Sequence, residues 1–258
     1  MNSFLLKSKL SNIQKICISG LFIALLMILN KVIAINNIPV IPFVRLSIGA
    51  GALAIIASFV LGPLYGMVVV GMADVLGYLI FDPKTFGFFP TITLIYILLG
   101  VVPYFLFCFV NQFKNKKTMK LIEYTVFLVL LGLLSLFFTF NNQISLFGSV
   151  YSFNLTQKIL IISGLFIVLF FNVLINLIID KKVKNENLIF NIYQVSFVSF
   201  LTELIVFVLF GSLMKSIAFG FEMFFPILIS QIIISFINVP INTYLILLVL
   251  RVTKRFII

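Results

Sequence analysis

The stretch that decides the fold runs from Leu61 to Pro90 and reads LGPLYGMVVVGMADVLGYLIFDPKTFGFFP. It is apolar and long enough to cross a bilayer, it begins with a helix-breaking Gly-Pro pair, and it carries a carboxylate, Asp74, near its middle. An ionised carboxylate at bilayer depth costs several kcal/mol unless a partner, water or a polar cavity stabilises it. A simple anchor has no need of such a residue, so the stretch predicts a transmembrane helix with a function.

The composition of the whole chain predicts an all-α polytopic membrane protein. Of its 258 residues 62% are hydrophobic and 10% are charged, and apolar runs of about 20 residues recur along it. The chain has no histidine, which is the commonest general base and metal ligand, and no G-x-x-x-x-G-K-[ST] run that would bind a nucleotide. We therefore expect no metal and no cofactor, and any work driven by ATP must come from partner chains.

Eight apolar spans are predicted, with both termini in the cytoplasm, in a single membrane domain that covers residues 1–258. The spans are 16–35, 45–61, 64–81, 91–110, 121–140, 158–180, 189–213 and 223–250. This orientation puts most of the 18 Lys and Arg residues on the cytoplasmic side, as the positive-inside rule favours for a plasma-membrane protein. The basic residues left elsewhere are Lys31, Arg45, Lys84, Lys158 and Lys215. The same rule accounts for the net charge of +11 without a nucleic-acid partner.

Five short motifs follow one another in a characteristic order. They are RLSIG at 45–49, GPLYG at 62–66, DVLG at 74–77, FFP at 88–90 and NVPINT at 238–243. Together they resemble the substrate-binding (S) component of energy-coupling factor (ECF) vitamin transporters, most closely the folate branch. The resemblance implies a bundle of six helices that captures a vitamin on the external face and performs no covalent chemistry, so the chain is not expected to be an enzyme.

The resemblance also implies partners: a transmembrane coupling subunit and two ATPase subunits. In the family, small residues of the first helix dock against the coupling subunit, and Gly20 and Ala24 occupy such positions here. Packing inside the bundle is the alternative for this pair, because small residues also let helices approach closely in lipid.

The chain departs from the family pattern in two ways. Eight spans exceed the usual six, so a helical hairpin at about 121–180, with an external turn, is predicted to be an insertion. In addition, Glu203 stands where the family has a neutral residue, which leaves a ligand other than folate open.

Seven residues are candidates for contact with the vitamin: Arg45, Asp74, Tyr78, Lys84, Phe89, Glu203 and Asn242. Arg45 and Lys84 would hold the carboxylates of a glutamate tail, although Arg45 could instead snorkel to the outer headgroups and Lys84 could be an ordinary residue of a surface loop. Asp74 and Glu203 could each accept paired hydrogen bonds from a pterin ring. Asp74 could equally be structural, whereas Glu203 has no basic partner that the spans reveal.

Aromatic residues toward the external side could stack on a flat ligand. This set comprises Phe43, Tyr78, Phe86, Phe88, Phe89 and Tyr96. On the last helix, Asn238 and Asn242 are four residues apart and share one face, with Pro240 between them. Their side chains either reach the carbonyl groups that the proline releases or contact the ligand.

Three other functions stay open. The same fold could carry another flat heterocycle, such as riboflavin, thiamine or a queuosine precursor. A membrane-embedded enzyme for lipid or isoprenoid substrates is disfavoured, because such enzymes gather acids around metals or protons, whereas Asp74 and Glu203 lie in separate spans. A purely structural membrane protein is the third alternative.

Overall fold

The computed structural model describes residues 10–35, 46–81, 87–112, 116–146, 149–183 and 190–257. Within these residues the chain is a bundle of α-helices with one small β-hairpin. Four of the predicted ligand contacts, Phe43, Arg45, Lys84 and Phe86, lie outside the described residues.

The helices follow the predicted apolar runs closely. In chain order they are α1 (Asn12–Met27, continued by a π-helical turn at Ile28–Val32), α2 (Ala50–Leu61), α3 (Pro63–Phe81), α4 (Pro90–Gln112), α5 (Lys116–Phe140), α6 (Leu155–Val183), α7 (Ile192–Thr202, continued by a π-helical segment at Glu203–Gly211), α8 (Ser212–Phe219) and α9 (Phe224–Ile257, after a short 3-10 turn at Phe221–Met223). The α7 helix, its π segment and α8 form one continuous apolar element, Ile192–Phe219. The prediction of an all-α polytopic membrane protein is thereby confirmed.

The prediction of eight full spans is wrong for the second one. Seven helices in the described residues are long and apolar enough to cross a membrane, but α2 has only 12 residues. At about 1.5 Å per residue it is roughly 18 Å long, well short of a hydrocarbon core of about 30 Å. Nearly all of α2 is buried in the bundle, so it is surrounded by protein. Just before it, Leu46 and Ile35 exchange backbone hydrogen bonds of 2.8 and 2.9 Å.

The α3 and α4 helices approach each other most closely through glycine. A Cβ atom on Gly66 would collide with the backbone of Gly100, and one on Gly100 would collide with the backbone of Gly66. Nearby, Ser58 of α2 accepts a hydrogen bond of 3.2 Å from the backbone N–H of Tyr104, directly after Pro103 inside α4. These contacts join α2, α3 and α4 into a tightly packed unit that carries Asp74.

The predicted inserted hairpin corresponds to α5 and α6. The connection between them is not a plain loop, because Gln143–Leu146 (β1) and Ser149–Ser152 (β2) pair as an antiparallel hairpin that the sequence analysis did not predict. The α5 and α6 helices pack on α7 and α9, whereas α1 packs on α2 and α3. The hairpin and α1 thus lie against different helices of the bundle, and the status of α5–α6 as an insertion stays a prediction.

Candidate functional site

A cavity of about 550 Å³ opens among α1–α4 and α7–α9. Its lining includes residues from the ends of α1, α3 and α8 and from the starts of α2, α4 and α9, so it lies toward the end of the bundle opposite the Leu61-Gly62-Pro63 turn. Among the described residues that line it, none belongs to α5 or α6. Its volume falls within the roughly 300–1,000 Å³ typical of sites for small ligands.

Glu203 is the most deeply buried acid of this cavity. Its side chain is 1% exposed, and its Oε1 atom accepts a hydrogen bond of 3.0 Å from the Nδ2 atom of Asn242, itself 2% exposed. Asn238 approaches the same carboxyl group. The Oε2 atom is also buried, yet it has no hydrogen-bond partner among the described residues. An unpaired buried acceptor costs about 1–3 kcal/mol, so this atom is suited to receive a donor from a ligand.

Local backbone irregularities place these side chains. Glu203 begins the π-helical segment that continues α7, and Asn30 and Lys31 of the cavity lie in the π-helical turn after α1. Wider π turns are rare and occur frequently at functional sites, because they rotate side chains away from the regular helical positions. On α2, Gly51 leaves room for Asn242, since a Cβ atom there would lie 2.7 Å from its Nδ2 atom.

Asp74 reaches the same cavity from α3. It is half-buried, and its Oδ2 atom accepts a hydrogen bond of 2.8 Å from the hydroxyl group of Thr93 on α4. A hydroxyl that donates to a carboxylate stabilises the charged form and fixes its direction. The two acids that the sequence analysis assigned to separate spans are therefore brought together around one cavity.

Two lysines of the cavity were missed as site residues in the sequence. Lys31 and Lys215 both line it, and the aliphatic stem of Lys31 lies against Gly77, where a Cβ atom would be 3.3 Å from its Cε atom. Lys215, which lies beyond the end of the predicted span 189–213, is close enough for its charge to act on Glu203. The available signal was the position of Lys31 inside a predicted span, but a lysine near a span end is equally typical of snorkelling.

Aromatic rings form the outer walls of the cavity. The lining rings are those of Tyr78, Phe88, Phe89, Tyr96, Phe207 and Phe219. The Tyr78 and Phe88 ring centroids are 5.5 Å apart, and those of Phe89 and Phe219 are 4.9 Å apart, which connects the start of α4 with the end of α8. All four described members of the predicted aromatic set therefore lie at the cavity.

Comparison with known families decides what this architecture is. The family model described as "ECF transporter, substrate-specific component" matches residues 14–183. The chain belongs to this family. No curated protein and no solved structure matches the chain. The predicted resemblance to an S component is confirmed, whereas its assignment to the folate branch stays a prediction.

Membership in the family establishes the general role of the chain. It is the substrate-specific subunit of an ECF transporter and a multi-pass protein of the plasma membrane, and the family implies a small-molecule substrate together with coupling and ATPase subunits. The matched region includes α1–α6, so Asp74 lies within it, whereas Glu203 and Asn242 lie beyond its end. One acid of the cavity thus lies in the matched region and the other in the helices that follow it.

The first helix of this S component presents small residues outward. Gly20 and Ala24 are both exposed, and a Cβ atom on Gly20 would meet no described atom within 4 Å. Among the described residues the pair has open space beside it, which favours partner docking over packing inside the bundle; the docking role stays a prediction. A flat, apolar helix face remains, of the kind that a second transmembrane helix can approach closely.

Proposed function

We propose that this S component captures folate or a related flat vitamin on the external face of the membrane. The observation that carries the proposal is the unpaired, buried Oε2 atom of Glu203 in a cavity with aromatic walls. A pterin ring offers a ring N–H and an amino group side by side, which suit a carboxylate acceptor. Tyr78 and Phe89 would cover the flat faces of the ring.

The two lysines of the cavity suit the negatively charged tail of folate, Lys215 near Glu203 and Lys31 against Gly77 of α3. Its glutamate tail carries two negative charges, and Lys31 and Lys215 line the cavity together with the acids. In the sequence, Arg45 lies just before the stretch 47–54 and Lys84 just before 87–89, and residues of both stretches line the cavity. We propose that Arg45 and Lys84 contribute to holding the tail. A ligand that carries both hydrogen-bond donors and carboxylates would match this mixed lining.

Thiamine is the second candidate ligand. Asp74 and Glu203 give one cavity two carboxyl groups, and a permanently cationic ring is attracted to such a pair. Folate and thiamine thus make opposite demands: folate depends on the lysines for its tail, whereas thiamine would be repelled by them. Riboflavin and a queuosine precursor are the remaining flat heterocycles to compare.

In the proposed transport cycle this chain performs no covalent chemistry. We propose that the face around Gly20 and Ala24 docks on the coupling subunit, and that ATP hydrolysis in the two partner ATPases moves the loaded cavity across the bilayer. The energy reaches the S component only through contacts between helices. Without its partners the purified chain should bind the vitamin but not accumulate it.

The direct test is binding of labelled folate to the detergent-purified chain and to Glu203→Gln and Glu203→Ala variants. We expect the alanine variant to weaken binding by more than about tenfold, which corresponds to ~1.4 kcal/mol. The glutamine variant should lie between it and the wild type, because glutamine keeps one acceptor oxygen and loses the charge. Glu222→Ala is the matched control, since Glu222 is exposed near the start of α9 and is not among the residues that line the cavity.

Each outcome has a distinct meaning. Folate binding that is equally strong in both Glu203 variants would keep the ligand and reject this acid as its contact. Binding of thiamine but not folate by the wild type would transfer the proposal to the second candidate. A well-folded sample that binds none of the four vitamins would overturn the proposed function. Arg45→Ala tests the tail separately.

A further inference from the structure

We propose that the α5–α6 hairpin is the back wall of the binding site, which sets the spacing between α7 and α9 and thereby the pairing of Glu203 with Asn242. In this arrangement Phe127 of α5 is a positioning residue for ligand affinity, although it does not line the cavity. The part of the inference that concerns affinity rests on the proposed function, because it requires that the Glu203–Asn242 pair contacts the ligand.

The two helices that hold this pair are both irregular where the pair lies. The α7 helix changes to π-helical geometry at Glu203, and α9 contains Pro240 two residues before Asn242. A proline inside a helix removes one backbone hydrogen bond, and a π segment replaces the regular bonding pattern with a rarer one. Both helices therefore depart from regular backbone bonding at the site, so side-chain contacts contribute to the distance between them.

Phe127 supplies apolar support to both helices at once. Its ring is 2% exposed and lies 5.0 Å, centroid to centroid, from Phe200 of α7 and 4.8 Å from Phe236 of α9. Phe200 precedes Glu203 by about one helical turn, and Phe236 lies two residues before Asn238. One aromatic side chain of the hairpin thus packs on both α7 and α9 close to the positions that line the cavity.

Polar contacts fix the hairpin in this position. The bonds run from Ser196 Oγ to Glu123 Oε1 (2.7 Å), from Tyr244 Oη to Asn172 Oδ1 (3.3 Å) and from Asn176 Nδ2 to Tyr124 Oη (3.1 Å). The first joins α7 to α5, the second joins α9 to α6, and the third joins the two hairpin helices to each other. Such bonds between transmembrane helices stabilise their association, so together they connect all four helices.

Different residues of α7 and α9 provide this support and line the cavity. On α7, Ser196 points to the hairpin while Glu203 lines the cavity, and on α9, Tyr244 points to the hairpin while Asn238 lines the cavity. Since no described residue of α5 or α6 lines the cavity, a change in the hairpin can alter affinity only through the position of α7 and α9.

The test compares Phe127→Ala with Phe138→Ala. Both phenylalanines lie on α5 and are almost fully buried, but Phe138 packs on Phe153 at the outer end of the hairpin. Both changes leave a cavity and should lower the melting temperature of the purified protein. We expect only Phe127→Ala to weaken binding of labelled folate, by about tenfold, while Phe138→Ala leaves the dissociation constant unchanged. A melting temperature alone cannot make this distinction, whereas the affinity can.

A second measurement does not depend on the identity of the ligand. In a chain with Cys17 and Cys108 replaced by serine, Glu203→Cys and Asn242→Cys place two thiols where the carboxyl and amide groups now pair at 3.0 Å. Their rate of cross-linking by a short bifunctional reagent reports the α7–α9 spacing. Adding Phe127→Ala should slow the reaction several-fold, and adding Phe138→Ala should not.

These two arms make the failures distinguishable. If the wild type binds no vitamin, the proposed function fails, yet the cross-linking arm still tests the back wall. Equal cross-linking rates and equal affinities in the two phenylalanine variants would overturn the inference. Should Phe127→Ala fail to fold, Tyr244→Phe removes a single hydroxyl group from the same support and is expected to weaken binding to a smaller degree, with no loss of folded protein.

Discussion

Glu203 and Glu123 are both 1% exposed and both lie on transmembrane helices, yet their surroundings differ. Glu123 accepts a short hydrogen bond from Ser196 at a packed helix interface, between the hairpin and the bundle. Glu203 lines a cavity and keeps one buried oxygen without a partner among the described residues. A buried polar group in a membrane is stabilised either by another helix or by something that enters the site. The difference teaches that a carboxylate oxygen left without a partner, rather than burial of the residue, marks a candidate ligand contact.

Glycines of the α3–α4 contact and of the hairpin differ in the same way, and substituting them has the largest expected effect on stability. Gly100→Ala should remove most of the folded protein, because its Cβ atom would collide with the backbone of Gly66 and overpacking costs about 1–3 kcal/mol or more. Gly132→Ala in α5 meets no described atom within 4 Å and should be neutral or stabilising by up to ~1 kcal/mol. Thermal unfolding in detergent measures both. Equal melting temperatures of the two variants would show that α3 and α4 do not pack closely at Gly66 and Gly100.

The docking face provides the next contrast. Gly20→Leu should leave vitamin binding intact and reduce uptake by more than about tenfold in cells that also make the coupling and ATPase subunits, because the added side chain would keep the coupling helix away. Gly164→Leu on α6 is the control, since this glycine also has open space around its Cβ position. Reduced uptake in the α6 variant alone would assign partner docking to the hairpin and not to α1.

The sequence predicted the helices well because a transmembrane helix requires a long apolar run, and such runs are visible without any tertiary information. It overestimated α2 because the run at 45–61 is mostly apolar, while of its described residues only Ala50–Leu61 are helical. Hydropathy reports that a segment avoids water, and a segment buried among other helices avoids water whether or not it is helical.

The cavity could be predicted in part. Four of the predicted residues line it: Asp74, Tyr78, Phe89 and Glu203. Asn242 donates a hydrogen bond to Glu203. Contact of these residues with a ligand stays a prediction. Lys31 and Lys215 could not be recognised, because a long side chain near a span end looks the same whether it reaches headgroups or a cavity. The support from α5 and α6 was equally hidden, since it depends on contacts between residues far apart in the chain.

The smallest expected effect concerns the hydrogen bond between Thr93 and Asp74. Thr93→Val keeps the shape of the side chain and removes the donor, so the Asp74 carboxylate loses one stabilising bond at the cavity edge. We expect the dissociation constant to rise about fivefold, equivalent to about 1 kcal/mol. Thr139→Val on α5 is the matched change, because that hydroxyl is exposed and bonds only to the carbonyl of Leu136 in its own helix.

Titration calorimetry on both threonine variants then separates two roles of Asp74. If Asp74 contacts the ligand, Thr93→Val weakens binding while Thr139→Val leaves it unchanged. If Asp74 only joins α3 to α4, Thr93→Val lowers the melting temperature and the affinity stays at the wild-type value. The second result would place Asp74 beside Glu123 as a contact between helices and leave Glu203 to bind the ligand without it.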